Sequence, residues 1–366
     1  MAEPAAARVL AFFLPQFHPI PENDKWWGTG FTEWRNVTQA RSLFRGHYQP
    51  HLPADLGFYD LRLPEVRVAQ AELAKAHGID GFVWHHYWFG GRRLLERPFS
   101  EVLSSGEPNF PFCLSWANEP WSRRWDGRDH DLLIGQVYSP DDDLAHARWF
   151  AAAFADPRYL RLDGRPLLLV YRAGELPEPE RTADVWRQEC TRLGVGEPYL
   201  CRVESFFPEE YGDPASIGFD AAVEFPPHWS ATAVGRPLRR ARPWWWSRRL
   251  RLTSRAFGRH HIYDYAAVAE ASASRPAPPY RRFAGVTPGW DNTARRDRGG
   301  VALIGSTPER YERWLRAALA RDESLVFVNA WNEWAEGCHL EPDLRWGRSY
   351  LEATARAIRA SRSAPH

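Results

Sequence analysis

Eight short apolar runs separated by amphipathic segments predict an α/β fold, a closed (β/α)8 TIM barrel of parallel strands. Two observations carry that expectation. The runs are filled with Val, Leu, Phe and Ala and lack the polar alternation of a half-exposed strand, as in parallel strands covered on both faces. Polar and aromatic clusters also follow the runs again and again, at the C-terminal strand ends where such barrels place their chemistry. A length of 366 residues suits one barrel with insertions, so 1–366 reads as a single catalytic domain. An open doubly wound sheet is the competing architecture, but no Gly-rich phosphate loop follows the first run.

Taken in order, the first run is 9–14, which breaks into Pro15-Gln16-Phe17-His18. Without a basic stretch before it or a small-residue cleavage site after it, it reads as a strand and not a signal peptide, which predicts a cytoplasmic location. A long Trp-rich loop, NDKWWGTGFTEWRNV, follows and holds Glu33 and Trp34. The amphipathic segment 63–77 is a helix that Gly78 stops. Strand 79–84 runs into His85, His86, Tyr87 and Trp88, and strand Phe112–Trp116 runs into Asn118, Glu119 and Trp121. Helix 142–155, strand 166–171 and helix 180–193 come next, then strand 199–203 with Glu204 just beyond it. Strand 221–223 closes on Glu224 and His228, and strand 283–286 on Trp290 and Asp291. After helix 308–320 the last strand, Leu325–Val328, gives way to Trp331, Asn332, Glu333, Trp334 and Glu336, and helix 350–360 seals the end.

That last motif is the candidate catalytic centre. Aromatic faces stack on sugar rings while paired carboxyl groups move protons at a glycosidic bond, so Glu333 and Glu336 among tryptophans fit a sugar site. A helix start, capped by Asn332 with acids in its first turn, accounts equally for this one cluster. It does not account for Glu33, His85, Glu119, Glu204, Glu224, Asp291 and Glu333 all following strands. Those residues, with Trp34, His86, Tyr87, Trp88, Trp116, Asn118, Trp121, His228, Trp290, Trp331, Asn332 and Trp334, are the candidates for substrate contact. Adjacent strand residues point to opposite sides, so only alternate members of 85–88 can face a site.

Composition excludes other classes. A net charge of +1, from 47 basic and 46 acidic residues, gives no electrostatic case for nucleic acid. Nineteen tryptophans exceed what core packing usually asks for, which suits a carbohydrate-facing surface or a Trp-rich core. Four scattered cysteines, Cys113, Cys190, Cys201 and Cys338, lack metal spacing and read as reduced thiols. His18, His85 and His86 read as hydrogen-bonded groups and not as a metal site, so neither metal nor cofactor is expected. Asp141-Asp142-Asp143 follows Ser139-Pro140 and reads as first-turn acids of a helix, not as the metal-holding motif of a sugar-nucleotide transferase. The stretch 235–261 carries nine arginines, no acid and Trp244-Trp245-Trp246. Either it is a basic flap for an anionic membrane surface or a lipid-linked glycan, or its tryptophans merely cover the barrel.

The stretches LPQFHPIPENDKWWGTGFTEWRNV, HYQPHLPADLGFYDL, GIDGFVWHHYWFGGRRLLERP, FCLSWANEPWSRRWDG and VNAWNEWAEGCHLEPD closely resemble the WbsX-type family, which is similar to glycoside hydrolase family 99. The resemblance runs from about residue 8 to about residue 360. It implies a (β/α)8 barrel acting on an α-linked manno-configured sugar of a polysaccharide. It also implies a neighbouring-group route with retention, in which Glu333 is base towards the sugar 2-hydroxyl and Glu336 is acid towards the leaving group. An ordinary retaining pair of Glu119 as acid/base and Glu333 as nucleophile is the rival within hydrolases. The family's glycosyltransferase name implies a second class, a cytosolic glycosyltransferase of lipopolysaccharide, O-antigen or capsule assembly.

Overall fold

The apolar runs pair with one another because none of them has a polar face to offer water. In the computed structural model, which describes residues 7–123, 128–228, 255–321 and 324–363, they form eight parallel strands. These are β1 (Arg8–Phe13), β2 (Gly81–Phe89), β3 (Phe112–Trp116), β4 (Arg165–Val170), β5 (Tyr199–Glu204), β6 (Ala221–Glu224), β7 (Arg282–Val286) and β8 (Leu325–Val328). Each pairs with the next in sequence, and β1 pairs with both β2 and β8, which closes the sheet into a (β/α)8 TIM barrel. All of Val9–Phe13 and all of β8 are buried, as strands wrapped by helices must be.

Helices α1 (Pro64–Ala76), α2 (Arg97–Ser105), α3 (Pro140–Phe154), α4 (Pro179–Arg192), α5 (Tyr265–Ala273), α6 (Pro308–Arg321) and α7 (Ser349–Arg362) lie between and after the strands. Ser139 caps α3 by accepting from the Asp142 amide, so the acids of 141–143 sit in a first turn as expected. Helices α2 and α5 lie where the apolar pattern is read as loop. Between β5 and β6 the described chain forms two short 3-10 turns, Pro208–Glu210 and Pro214–Ile217, in place of a helix.

Strand β2 runs five residues past its predicted end, because Tyr87, Trp88 and Phe89 pair antiparallel with a short strand, Arg92–Leu94. His85 to Trp88 therefore lie within a strand and not beyond it. The Trp-rich first loop folds into two short helices, Pro21–Trp27 and Trp34–Gln39. Of the basic stretch 235–261, residues 235–254 lie outside the described residues, and with them Trp244 to Trp246 and the proposed membrane-facing flap. Its end forms a 3-10 turn, Arg255–Gly258, and opens a small sheet in which His261–Asp264 pairs with Val301–Ile304, itself paired with Trp290–Asp291. No helix among the described residues is long and apolar enough to cross a membrane.

Candidate active site

Beyond β8 the chain forms a tight hairpin in which Asn332–Glu333 pairs antiparallel with Cys338–His339. The turn between them, Trp334–Glu336, ends on Gly337 at a φ of 55°, where a side chain would be strained. A Cβ there would also stand 3.1 Å from the Asp291 Cβ. Asn332 anchors the hairpin to β1: its Oδ1 accepts from the Leu14 amide at 2.7 Å and its Nδ2 donates to the Leu14 carbonyl at 3.0 Å. Asn118 does the same to the end of β4, accepting from the Arg172 amide at 2.7 Å and donating to the Arg172 carbonyl at 2.8 Å. In both Asn-Glu pairs the asparagine clamps a neighbouring strand, and the following glutamate, Glu333 or Glu119, lines a cavity of about 420 Å³ at the strand C-terminal ends.

Glu333 and Glu336 meet at this cavity through Arg295, whose guanidinium lies 3.4 Å from Glu333 and 2.9 Å from Glu336. The same group reaches Glu33 at 3.2 Å, from below the cavity lining. Asp291 sets its position by capping the turn Asn292–Ala294 just before it: Oδ1 accepts from the Thr293 amide at 3.0 Å and Oδ2 meets His47 Nε2 at 2.5 Å. Three carboxyl groups around one cation, fully ionised, would leave two buried negative charges uncompensated. Burial accordingly pushes Glu333 up to about 8, against the pull of Arg295 and with help from Glu336 and Glu33. Burial raises Glu33 as well.

Of the candidates for sugar contact, His85, Tyr87, Glu119, Trp121 and Trp290 line the cavity beside Glu333 and Glu336. Trp121 packs edge-on to Tyr87 with centroids 5.2 Å apart, and Gln16 donates to the Tyr87 hydroxyl at 2.9 Å. His85 is neutral, its pKa lowered by burial to about 4, and its Nδ1 meets no protein partner.

The remaining candidates lie away from the cavity, for reasons of strand geometry. Alternation turns His86 and Trp88 outward, where His86 stacks on Trp149 at 4.1 Å and Trp88 donates to Asp142 at 3.0 Å. Trp116 packs beside Trp186 under the helices. Glu204 and Glu224 are taken up by arginines: Arg275 meets Glu204 at 2.8 Å, and Arg321 and Arg282 meet Glu224 at 2.5 and 3.1 Å. Their neighbours Ser205 and Phe225 line the cavity instead. His228 is buried, its pKa lowered to about 4 by that burial. Trp331, Trp34 and Trp334 are buried braces: Trp34 donates to the Tyr59 carbonyl at 2.8 Å and Trp334 to Glu341 at 2.6 Å. Glu33, Asn118, Asn332 and Asp291 support the site without facing it.

Sequence reasoning missed Arg295, Gln16 and Tyr171. Arg295 sits in TARRDRGG, where nothing in spacing or pattern separates it from Arg296 and Arg298. Only the carboxyl groups converging on it, from positions 33, 333 and 336, mark it out.

A closed barrel with acids, a guanidinium and aromatic rings at its strand C-terminal mouth defines the class of barrels that carry a polar site at that end. The chain belongs to the family described as glycosyltransferase WbsX, whose model matches residues 9–354. Proteins described as "Uncharacterized protein WxcX" from two strains of Xanthomonas campestris pv. campestris are 48% identical over 365 residues, 98% of this chain and 50% of theirs. The chain thus spans about half the length of the curated relatives it matches. Among solved structures, a GH99 endo-alpha-mannosidase from Bacteroides thetaiotaomicron aligns over 98% of this chain and 99% of its own with a TM-score of 0.61 at 15% identity. The same enzyme bound to bis-tris-propane aligns over 97% of both chains with a TM-score of 0.62 at 14% identity. A glycoside hydrolase-like protein aligns over 98% of this chain and 97% of its own with a TM-score of 0.58 at 14% identity. At these identities the likeness is one of fold.

Proposed function

We propose that this barrel is a glycoside hydrolase-like enzyme acting at the C1 of an α-linked manno-configured sugar, mannose or rhamnose in type, within a polysaccharide. The observation that carries the reading is the pair Glu333 and Glu336 on one aromatic-walled cavity, bridged by Arg295. Glu333 takes the proton of the 2-hydroxyl as that oxygen attacks C1, and Glu336 gives a proton to the departing glycosidic oxygen, which yields a 1,2-anhydro sugar. Glu336, now ionised, takes a proton from the water that opens the ring, and Glu333 returns its proton to O2. The route needs an axial 2-hydroxyl trans to the α leaving group, which is why a manno configuration is specified. Tyr87, Trp121 and Trp290 supply ring faces for stacking, and His85 and Glu119 supply polar edges for hydroxyl groups.

The description of the family as a glycosyltransferase favours a second reading, transfer of the same sugar in cell-surface polysaccharide assembly in the cytoplasm. The two are separated by turnover of defined α-mannosides and α-rhamnosides and by thermal shift with nucleotide sugars. Under the first reading Glu333→Gln and Glu336→Gln each lower kcat by about 100-fold or more, the scale of general acid–base catalysis. Glu119→Gln leaves most turnover in place. Equal loss at Glu119 and Glu333 assigns the ordinary retaining pair, and stabilisation by a nucleotide sugar without glycosidase turnover reverses the ranking.

A further inference from the structure

On the far side of the catalytic hairpin, two imidazole rings face each other in a way their hydrogen bonds do not explain. His339 Nδ1 lies 2.9 Å from the Glu341 carbonyl oxygen, and His51 Nε2 lies 3.1 Å from the Tyr48 carbonyl oxygen. A carbonyl oxygen only accepts, so each contact places the ring proton on that nitrogen. His51 Nδ1 and His339 Nε2 are then both bare lone pairs, yet they stand 2.8 Å apart. Two lone pairs at that distance repel, and something positive belongs between them.

Asp343 faces the same point. Its Oδ2 is 3.9 Å from His339 Nε2, and its Oδ1 is held from behind by the amides of Arg345 and Trp346 at 2.9 and 2.6 Å. One ligand atom from each of His51, His339 and Asp343 falls within 4.8 Å of the other two. We propose that these three residues bind one divalent transition-metal ion of the Zn2+ type. Two imidazole nitrogens and a carboxylate oxygen are a donor set that suits zinc, and each histidine has its second nitrogen oriented by a carbonyl, as ligating histidines commonly do. Bonds of ordinary length would part the two nitrogens to about 3.3 Å, a small opening of the present contact.

None of the three residues lines the cavity, so the ion is a positioning element and not a reactant. His339 pairs with Asn332 across the hairpin and stacks on Trp334 at 3.8 Å, so the ion ties the loop around His51 to the hairpin that carries Glu333 and Glu336. This inference stands independently of the sugar chemistry.

The test is metal binding by the purified chain after removal of metal with EDTA. Titration with Zn2+ is expected to show one site tighter than about 1 μM, the range of built protein zinc sites, and Co2+ is expected to give the absorption of a low-symmetry, imidazole-bound ion. X-ray absorption of the zinc form should report two imidazole nitrogens at about 2.0 Å. His51→Gln, at a half-buried position, and Asp343→Asn should each weaken zinc binding by tenfold or more and remove the zinc-dependent rise in melting temperature. Failure of the wild-type chain to take up one equivalent means a histidine–histidine hydrogen bond only and overturns the proposal. So does stoichiometric binding that survives unchanged in both variants, or an absorption spectrum without histidine ligands.

Discussion

At the scale of single residues, Arg295 decides how the proposed acid and base share their protons. Its guanidinium opposes the burial that raises Glu333 and pairs directly with Glu336. A base must be ionised to act, so with Glu333 as base kcat/KM is expected to carry a limb that climbs as pH rises towards about 8. A profile with no limb rising towards pH 8 overturns Glu333 as the base. Replacing Arg295 with methionine removes the cation that lowers Glu333, so the rising limb should move to higher pH by about one to three pH units. At pH 7 this lowers kcat/KM by at least about tenfold, since each unit is a factor of ten in ionised base. A limb that stays in place in the folded variant, its fold checked by circular dichroism, separates Arg295 from the titration of Glu333. The glutamates themselves were legible, because acids between tryptophans at a strand end are a poor way to continue a core. The arginine was not, because its meaning comes from three partners brought together only by closure of the barrel.

At the scale of elements, the site depends on two devices that hold loops to strand ends, the asparagine clamps and the packed turn at Gly337. The repeated Asn-Glu pair was visible in sequence, but only the bonds from Asn332 to Leu14 and from Asn118 to Arg172 show what the asparagines do. Strand β2 teaches the opposite lesson: its run through Phe89 depends on a short partner strand after Gly91, which apolar patterning does not announce. Period-two alternation, once the true strand span is known, then sorts His85 and Tyr87 from His86 and Trp88 without further information. Gly337→Ala tests the turn. The position needs a left-handed backbone and a Cβ would press on the Asp291 Cβ at 3.1 Å, so a loss of about 1–3 kcal/mol is expected with a fall in kcat, because Asp291 caps the turn that positions Arg295. Gly347→Ala is the control: its φ of 52° carries the same backbone strain, but nothing lies within 4 Å of the added Cβ, so stability should fall by about 1–2 kcal/mol with kcat unchanged. Equal kcat in the two variants would remove the packed turn from the account of the site.

At the scale of the whole molecule, the barrel buries an unusual set of titratable groups, and their opposed linkages fix where it is most stable. His18, His85, His86, His146 and His228 are held neutral by burial, with pKa values below that of a free histidine. The unfolded chain binds more protons at these positions between pH 4 and 6.5, so stability rises with pH across that window. Glu333 and Glu341 behave in the opposite sense. Burial raises them to about 8 and about 7, the latter even though Tyr59, Gln70 and Trp334 all donate to its carboxyl group. Here the folded chain binds more protons from the free-carboxyl pKa upward, so stability declines as pH rises to 7 and then 8. Below pH 6.5 the buried histidines outweigh the two glutamates raised furthest, and above it those glutamates still titrate. The melting temperature is therefore expected to rise from pH 4, to peak near pH 6 to 7, and to fall towards pH 8. Glu333→Gln, which removes one of the two carboxyl groups raised furthest, should flatten the alkaline decline while leaving the acid limb in place. Differential scanning calorimetry at fixed ionic strength measures both limbs, and a melting temperature that keeps rising from pH 6.5 to 8 would show that Glu333 and Glu341 are ionised at no cost in the folded barrel.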